Sequence, residues 1–185
     1  MPTRRSAAAL EWLAAALLLA GCASSGGTLP PVPALAPLTP ASFGGSVQVE
    51  QTLSAAYGDR ESTLTCVLDV SPQKLTVVGL TATGQRVFTL SYDGVSVTAQ
   101  RSVFAPKEIA PERILADLQF AFWPLAALQG VGNGWDVSEP REGLRRIRYA
   151  GRLVAETHRL GSGAFPERLW LSNFAYGYAL DIRSR

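Results

Sequence analysis

Val87-Phe88-Thr89-Leu90-Ser91-Tyr92-Asp93-Gly94-Val95-Ser96-Val97-Thr98-Ala99-Gln100 reads as two strands joined by a turn. Apolar and polar side chains alternate with period two on both sides of Asp93-Gly94, and that pair tolerates positive φ, which favours a tight hairpin. The same texture runs upstream. Val47, Val49, Gln51 and Leu53 alternate with Gln48, Glu50 and Thr52 until Gly58-Asp59 interrupts. Leu64 to Val70, the Ser71-Pro72 turn, Leu75 to Thr81 and the Thr83-Gly84 turn follow. Five antiparallel strands in a meander are predicted, the fifth over Val95 to Val103.

Downstream the period changes. From Pro111 to Gln129, Ile114, Leu118, Phe122, Leu125 and Leu128 recur near helical spacing, with Pro111 suited to a first turn and Gly130 to a stop. Pro124 has no N–H for the carbonyl of Phe120, so the helix is expected to kink or split there. Leu115, Phe120, Trp123 and Ala127 make its other faces apolar as well, which calls for cover on more than one side. Beyond the loop Gly130-Val131-Gly132-Asn133-Gly134, alternation resumes over Arg145 to Tyr149, Arg152 to Leu160, Glu167 to Phe174 and Tyr176 to Arg183, with Trp135 to Ser138 a short extra strand. The fold class is mainly β (α+β): about ten antiparallel strands, with a kinked helix after the fifth. The apolar rows Leu64/Cys66/Leu68, Phe88/Leu90/Tyr92, Trp170/Phe174 and Tyr178/Leu180/Ile182 are expected to face a common interior against that helix, either a filled core or a lipid-sized cavity.

Composition narrows the chemistry. The 185 residues carry 17 Lys and Arg against 15 Asp and Glu, a near-balance that argues against nucleic acid as a partner. One histidine and two cysteines leave no ligand set for a Cys/His zinc site, and no metal or cofactor is expected. His158 has no Gly-x-Ser-x-Gly elbow to serve and reads as a polar outward strand position. Ser71-Pro72-Gln73-Lys74 has Ser-x-x-Lys spacing but joins two strands rather than opening a helix. The Gly130-Gly132-Gly134 loop lacks the βαβ context of a phosphate cradle. The carboxylate pairs Glu108/Glu112 and Glu139/Glu142 read as solvated surface. Cys66, on the apolar side of an alternating run, reads as a packed, protonated thiol. No enzyme is indicated.

The N-terminus carries an address. Arg4 and Arg5 precede an apolar run from Trp12 to Ala20, too short to span a bilayer, and Leu19-Ala20-Gly21-Cys22 matches the lipobox of bacterial lipoproteins. Residues 1–21 are thus expected to be a lipoprotein signal peptide, with Cys22 the lipidated first residue of the mature chain. Several acyl chains there would anchor far more firmly than one. Ala23 and Ser24 after the cysteine, in place of Asp, imply sorting to the periplasmic face of the outer membrane. Residues 22–43 hold Pro30, Pro31, Pro33, Pro37 and Pro40 and are expected to form an extended, uncored tether, reaching roughly 60 Å at ~3.1 Å per residue. The folded domain is assigned to residues 44–185.

The order of elements over about residues 44–184 resembles the LolA/LolB group of periplasmic carriers and outer-membrane receptors for lipoproteins, with Leu75 to Leu90 the closest stretch, followed by the helix Pro111 to Leu128 and the hairpin around Ala150-Gly151. Gly84-Gln85-Arg86 with Val87-Phe88, Tyr92-Asp93-Gly94, Leu115-Ala116-Asp117-Leu118-Gln119 with Trp123-Pro124, and Gly177-Tyr178 are similar to an uncharacterised bacterial lipoprotein family of unknown function, associated with aryl-polyene-type lipid biosynthesis gene sets. The resemblance implies an unclosed antiparallel half-barrel, lidded by helix, over a hydrophobic cavity.

Together these readings imply an outer-membrane-anchored lipoprotein that binds an acyl or polyene-lipid group non-covalently, for transport or membrane insertion. The expected lining is Leu64, Leu68, Phe88, Leu90, Tyr92, Ile114, Leu118, Phe122, Trp123, Trp170, Tyr178 and Leu180. A periplasmic carrier or lipid-synthesis protein would be its partner. The other reading is a structural accessory subunit that docks a partner protein through the same apolar surface.

Overall fold

The structure, a computed structural model, describes residues 31–103 and 110–185, of which Val32–Arg185 form one compact unit. Cys22 and the signal segment lie outside the described residues. Ten strands form a single antiparallel sheet: β1 Val47–Tyr57, β2 Arg60–Val70, β3 Leu75–Leu80, β4 Arg86–Tyr92, β5 Val97–Arg101, β6 Trp135–Arg141, β7 Leu144–Tyr149, β8 Arg152–Leu160, β9 Arg168–Asn173 and β10 Tyr178–Ser184. Their spatial order is β5-β4-β3-β2-β1-β10-β9-β8-β7-β6. Both meanders are therefore joined at the centre by β1 and β10, with Leu53 opposite Ile182, and β5 and β6 stand at the two edges.

Helix α1 (Pro111–Phe122) and the single turn α2 (Leu125–Leu128) lie on the inner face. The first packs against β5 and β9 and the second against β6, so the unclosed sheet curls around one helical segment. The helix breaks as Pro124 requires. Trp123 is extended (φ −68°, ψ 148°), the conformation that a following proline imposes. Leu68, Leu75, Leu90, Leu115, Trp123, Leu128, Ile147 and Leu171 fill the interior and are almost fully buried.

Three expectations are corrected. The β4–β5 hairpin has a four-residue loop, and β5 begins at Val97, because the Asp93 carboxylate accepts from the N–H groups of Val95 (2.9 Å) and Ser96 (2.7 Å) and holds both in the turn. The stretch read as an uncored tether is docked from Val32 onward: Val32 packs against the core, Leu35 is only 6% exposed and Pro40 is buried. Side chains from the sheet and helix satisfy its backbone. Gln119 accepts from Leu38 N–H (3.0 Å) and donates to the Leu38 carbonyl (2.7 Å), and Tyr92 donates to the Pro37 carbonyl (3.3 Å). Trp123 Nε1 donates to Ser42 Oγ at 2.9 Å.

The third correction concerns β9. Pairing of Leu171 with Leu180 and of Leu169 with Ile182 turns Leu169 and Leu171 inward, which places Trp170 on the outer face opposite Asp181 and His158. There the guanidinium of Arg168 stacks 4.3 Å from its ring centroid. Phe174 falls in the turn after β9 and is 54% exposed. In a strand with period two, a run of Leu-Trp-Leu puts either the leucines or the tryptophan inside, and burying two side chains wins.

Candidate functional site

A cleft of about 220 Å³ opens between α1, residues 32–35 and the β8 and β9 strands. Val32, Pro33, Ala34 and Leu35 form one wall. Phe120 and Trp135, with ring centroids 5.7 Å apart, lie at another, beside Val154 and Ala155 of β8. Ala110, Glu112, Arg113, Ala116, Ala175 and Tyr176 complete the lining. Arg113 is not loose: its guanidinium carbon sits 3.7 Å over the ring of Tyr176.

One buried polar cluster interrupts this apolar surface. Asp117, on α1, accepts from Asn173 Nδ2 (3.1 Å) through Oδ1 and from the Tyr178 hydroxyl through Oδ2. Asn173 Nδ2 also lies 3.1 Å from the Tyr178 oxygen, and its own Oδ1 receives the Tyr176 N–H at 3.2 Å. Helix, β9 and β10 are thereby fastened by three side chains. Burial pushes the Asp117 carboxyl up to about 6, against the opposing effect of the Tyr178 and Asn173 hydrogen bonds and the Arg113 charge. The Tyr178 hydroxyl is pushed far up as well, by its own burial and by the Asp117 charge, and so stays protonated. The cluster is thus a fixed hydrogen-bond acceptor at the edge of an apolar cleft.

The twelve residues read from sequence as a lining do not line this cleft. Leu68, Leu90, Tyr92, Phe122 and Trp123 are buried in closed packing. Leu64, Phe88, Ile114, Leu118, Tyr178 and Leu180 are half-buried, on the inner face or the helix, while Trp170 is on the outer face. Tyr178 alone touches the cleft's polar group, through Asp117. The cleft's own polar residues, Asp117 and Asn173, were missed. The signal available was the pair of polar residues, Asp117 and Gln119, inside a helix whose other faces are apolar: such groups, if covered, must find partners.

Elsewhere the side chains with chemical capacity are engaged otherwise. His158 is on the outer face, 2.8 Å from Glu156. Burial pushes the Cys66 thiol up to about 11, so it is a packed thiol. Ser71 and Lys74 close a turn through the Ser71 N–H to the Lys74 carbonyl at 2.8 Å. Glu139, read as solvated, instead holds the buried Arg145 through its Oε1 at 2.6 and 2.8 Å. Among the described residues, no group of three His, Cys, Asp or Glu side chains is placed to hold a metal, and no helix is long and apolar enough to cross a membrane.

Comparison with known proteins gives one family. The model of a family described as "Protein of unknown function (DUF3261)" matches residues 48–185. No curated protein matches the chain. Two solved structures are similar at 10% identity each: a LolA superfamily protein from Nitrosomonas europaea, over 76% of this chain and 84% of that one with a TM-score of 0.43, and a DUF1329 family protein from Desulfovibrio piger, over 78% and 85% with a TM-score of 0.39.

Proposed function

The chain belongs to this family of proteins of unknown function, DUF3261, and from that premise we propose that it is a lipid-binding protein of the bacterial envelope. It holds an apolar segment of an acyl or polyene-type lipid in the cleft, non-covalently and without chemistry, for transport or membrane insertion. The observation that carries this reading is the cleft: a concave, largely apolar surface between a helix and an unclosed sheet, with one fixed polar cluster beside it. Such sites take small apolar molecules, and each CH₂ moved from water contributes ~0.8 kcal/mol. A dry apolar cavity of about 150 Å³ accommodates benzene, so ≈ 220 Å³ suits one ring or a chain of about eight carbons on the same scale. The cleft therefore takes a segment of a lipid, while the rest extends past the docked residues 32–35.

The lipobox supports placing this activity at the outer membrane, with Cys22 as the anchor. A lipid-binding body within reach of a membrane has its ligand at hand. Native mass spectrometry of the full chain, purified from the envelope of a bacterial host in mild detergent, is expected to show added masses of lipid size that leave on activation. A ligand-free body bound to another protein would instead favour the accessory-subunit reading. Labelling with a palmitate analogue is expected for the natural chain and not for Cys22→Ser; labelling that persists in the variant removes the anchor.

A further inference from the structure

We propose that the cleft selects amphiphiles bearing a primary ammonium, received by the carboxylate of Asp117. This rests on the lipid-binding reading above and names the head group it prefers.

The charges at the cleft are unequal. Glu112, Arg113 and Asp117 line it, and the cation among them is committed to the Tyr176 ring, at 3.7 Å. Two carboxylates against one engaged guanidinium make the cleft repel an anionic head and attract a cationic one. Asp117 also has capacity left. An ionised carboxylate offers about four lone-pair positions, and its two donors in the structure are Asn173 and Tyr178. Those donors hold the carboxylate in place from β9 and β10, so it needs little rearrangement on binding.

The surroundings suit the same head group. An ammonium is a compact charge with three donors, and it gains from aromatic faces as well as from carboxylates. Phe120 and Trp135 stand on the lining with their centroids 5.7 Å apart. Apolar Ala116, Val154 and Ala155 lie along the path a chain would follow. A charge pair formed where water is displaced is stronger than the same pair in bulk solvent. An alcohol of equal chain length fills the same apolar space but gains only a neutral hydrogen bond.

The test titrates the full chain at neutral pH with octylamine, octanol and octanoate, by calorimetry and by Trp135 fluorescence against a Trp135→Phe reference. Octylamine is expected to bind about tenfold or more tightly than octanol, with octanoate weakest. In Asp117→Asn the amine's advantage is expected to fall to about twofold or less while octanol binding stays. Octylamine and octanol binding alike to the natural chain overturns the ammonium inference and leaves the lipid-binding reading standing. Failure of all three to bind overturns both. The ligand series on the natural chain decides even where the variant folds poorly.

Discussion

Arg145 donates through Nη1 to the carbonyl of Phe120 at 2.8 Å, the carbonyl that Pro124, lacking an N–H, cannot serve. The same Nη1 donates to the Trp123 carbonyl at 2.8 Å, and the other side of the guanidinium pairs with Glu139. A cation at the negative end of α1 thus terminates the helix where proline breaks it. Arg145 is 2% exposed, so its charge depends on these partners. Arg145→Ala is expected to lower stability by about 3 kcal/mol or more, measured by urea denaturation, since it strands two carbonyls and the Glu139 carboxylate. Arg145→Lys is expected to recover little, because a single ammonium does not reproduce the fork that reaches both carbonyls and Glu139. Full recovery by lysine would mean that charge alone matters here.

How much of this was readable in the chain follows from what each residue signals. Strands announce themselves by alternation, and the boundaries of β8 emerge at Arg152 and Leu160 as read. Pro124 signals the break because its missing N–H is a local property. Arg145 gives no such sign: its burial depends on a helix end some twenty residues away meeting β7. The docking of Leu35 and Pro40 is hidden for the same reason, since a Pro-rich stretch looks extended whether or not Gln119 and Tyr92 wait to bind its backbone. Trp170 was ambiguous in a period-two run, and only the β9–β10 register, Leu171 against Leu180, places it outside. The cleft eluded sequence for a related reason: its walls come from five separate segments.

Gly79 on β3 faces Phe88 on β4, and the ring lies over the space a Cβ would fill. The absent side chain and the cross-strand ring act as a unit at a β-bulge. Gly79→Val is expected to displace the ring and cost about 1–3 kcal/mol, read from thermal or chemical melts. Adding Phe88→Ala should remove much of that penalty. Strictly additive costs for the two changes would show that the ring does not occupy this space.

The Asp117 carboxyl sets a pH dependence of unusual sign. Its folded-state value, about 6, lies above the unfolded value of 3.8, so the native chain binds the proton more tightly. Stability from this group is greatest when it is protonated and falls as pH rises from about 4 to about 6. Tyr178 and Arg113 face it, with Asn173 as a neutral partner, and the first stays protonated throughout. The half-buried carboxylates of Glu156 and Asp181, each paired with arginine, act in the opposite direction, so the comparison must be made against Asp117→Asn. The stability of the natural chain minus that of the variant is expected to decline by up to roughly 3 kcal/mol between pH 4 and 7. A difference that is flat or rises with pH would show that Asp117 is not held up by burial.

Gln119 holds residues 37–38 against the helix through a two-bond ladder to Leu38. Gln119→Leu keeps an apolar body of similar size and removes both bonds, leaving Leu38 N–H and C=O without these partners. A loss of about 2 kcal/mol is expected, and limited proteolysis should begin between residues 35 and 41 before the sheet is cut. Cleavage first within the sheet would show that the docked segment is held by packing rather than by Gln119.

Occupation of the cleft itself is tested by filling it. Ala116 stands half-buried on α1 and lines the cleft, whereas Leu180 lies half-buried on the inner face of β10, outside the lining, among the residues that sequence alone nominated. Because the cleft is open space, Ala116→Phe places a ring where a ligand would lie without crowding closed packing, and the melting temperature should stay within a few degrees of the natural chain. Binding of an environment-sensitive alkyl dye is expected to weaken by about tenfold, since the ring removes the apolar volume that a chain segment would use. Leu180→Ser should leave dye binding near its natural level. The opposite pattern, binding lost with Leu180→Ser and kept with Ala116→Phe, would move the ligand from the cleft to the open inner face beside β1 and β10, and with it the role assigned to Asp117.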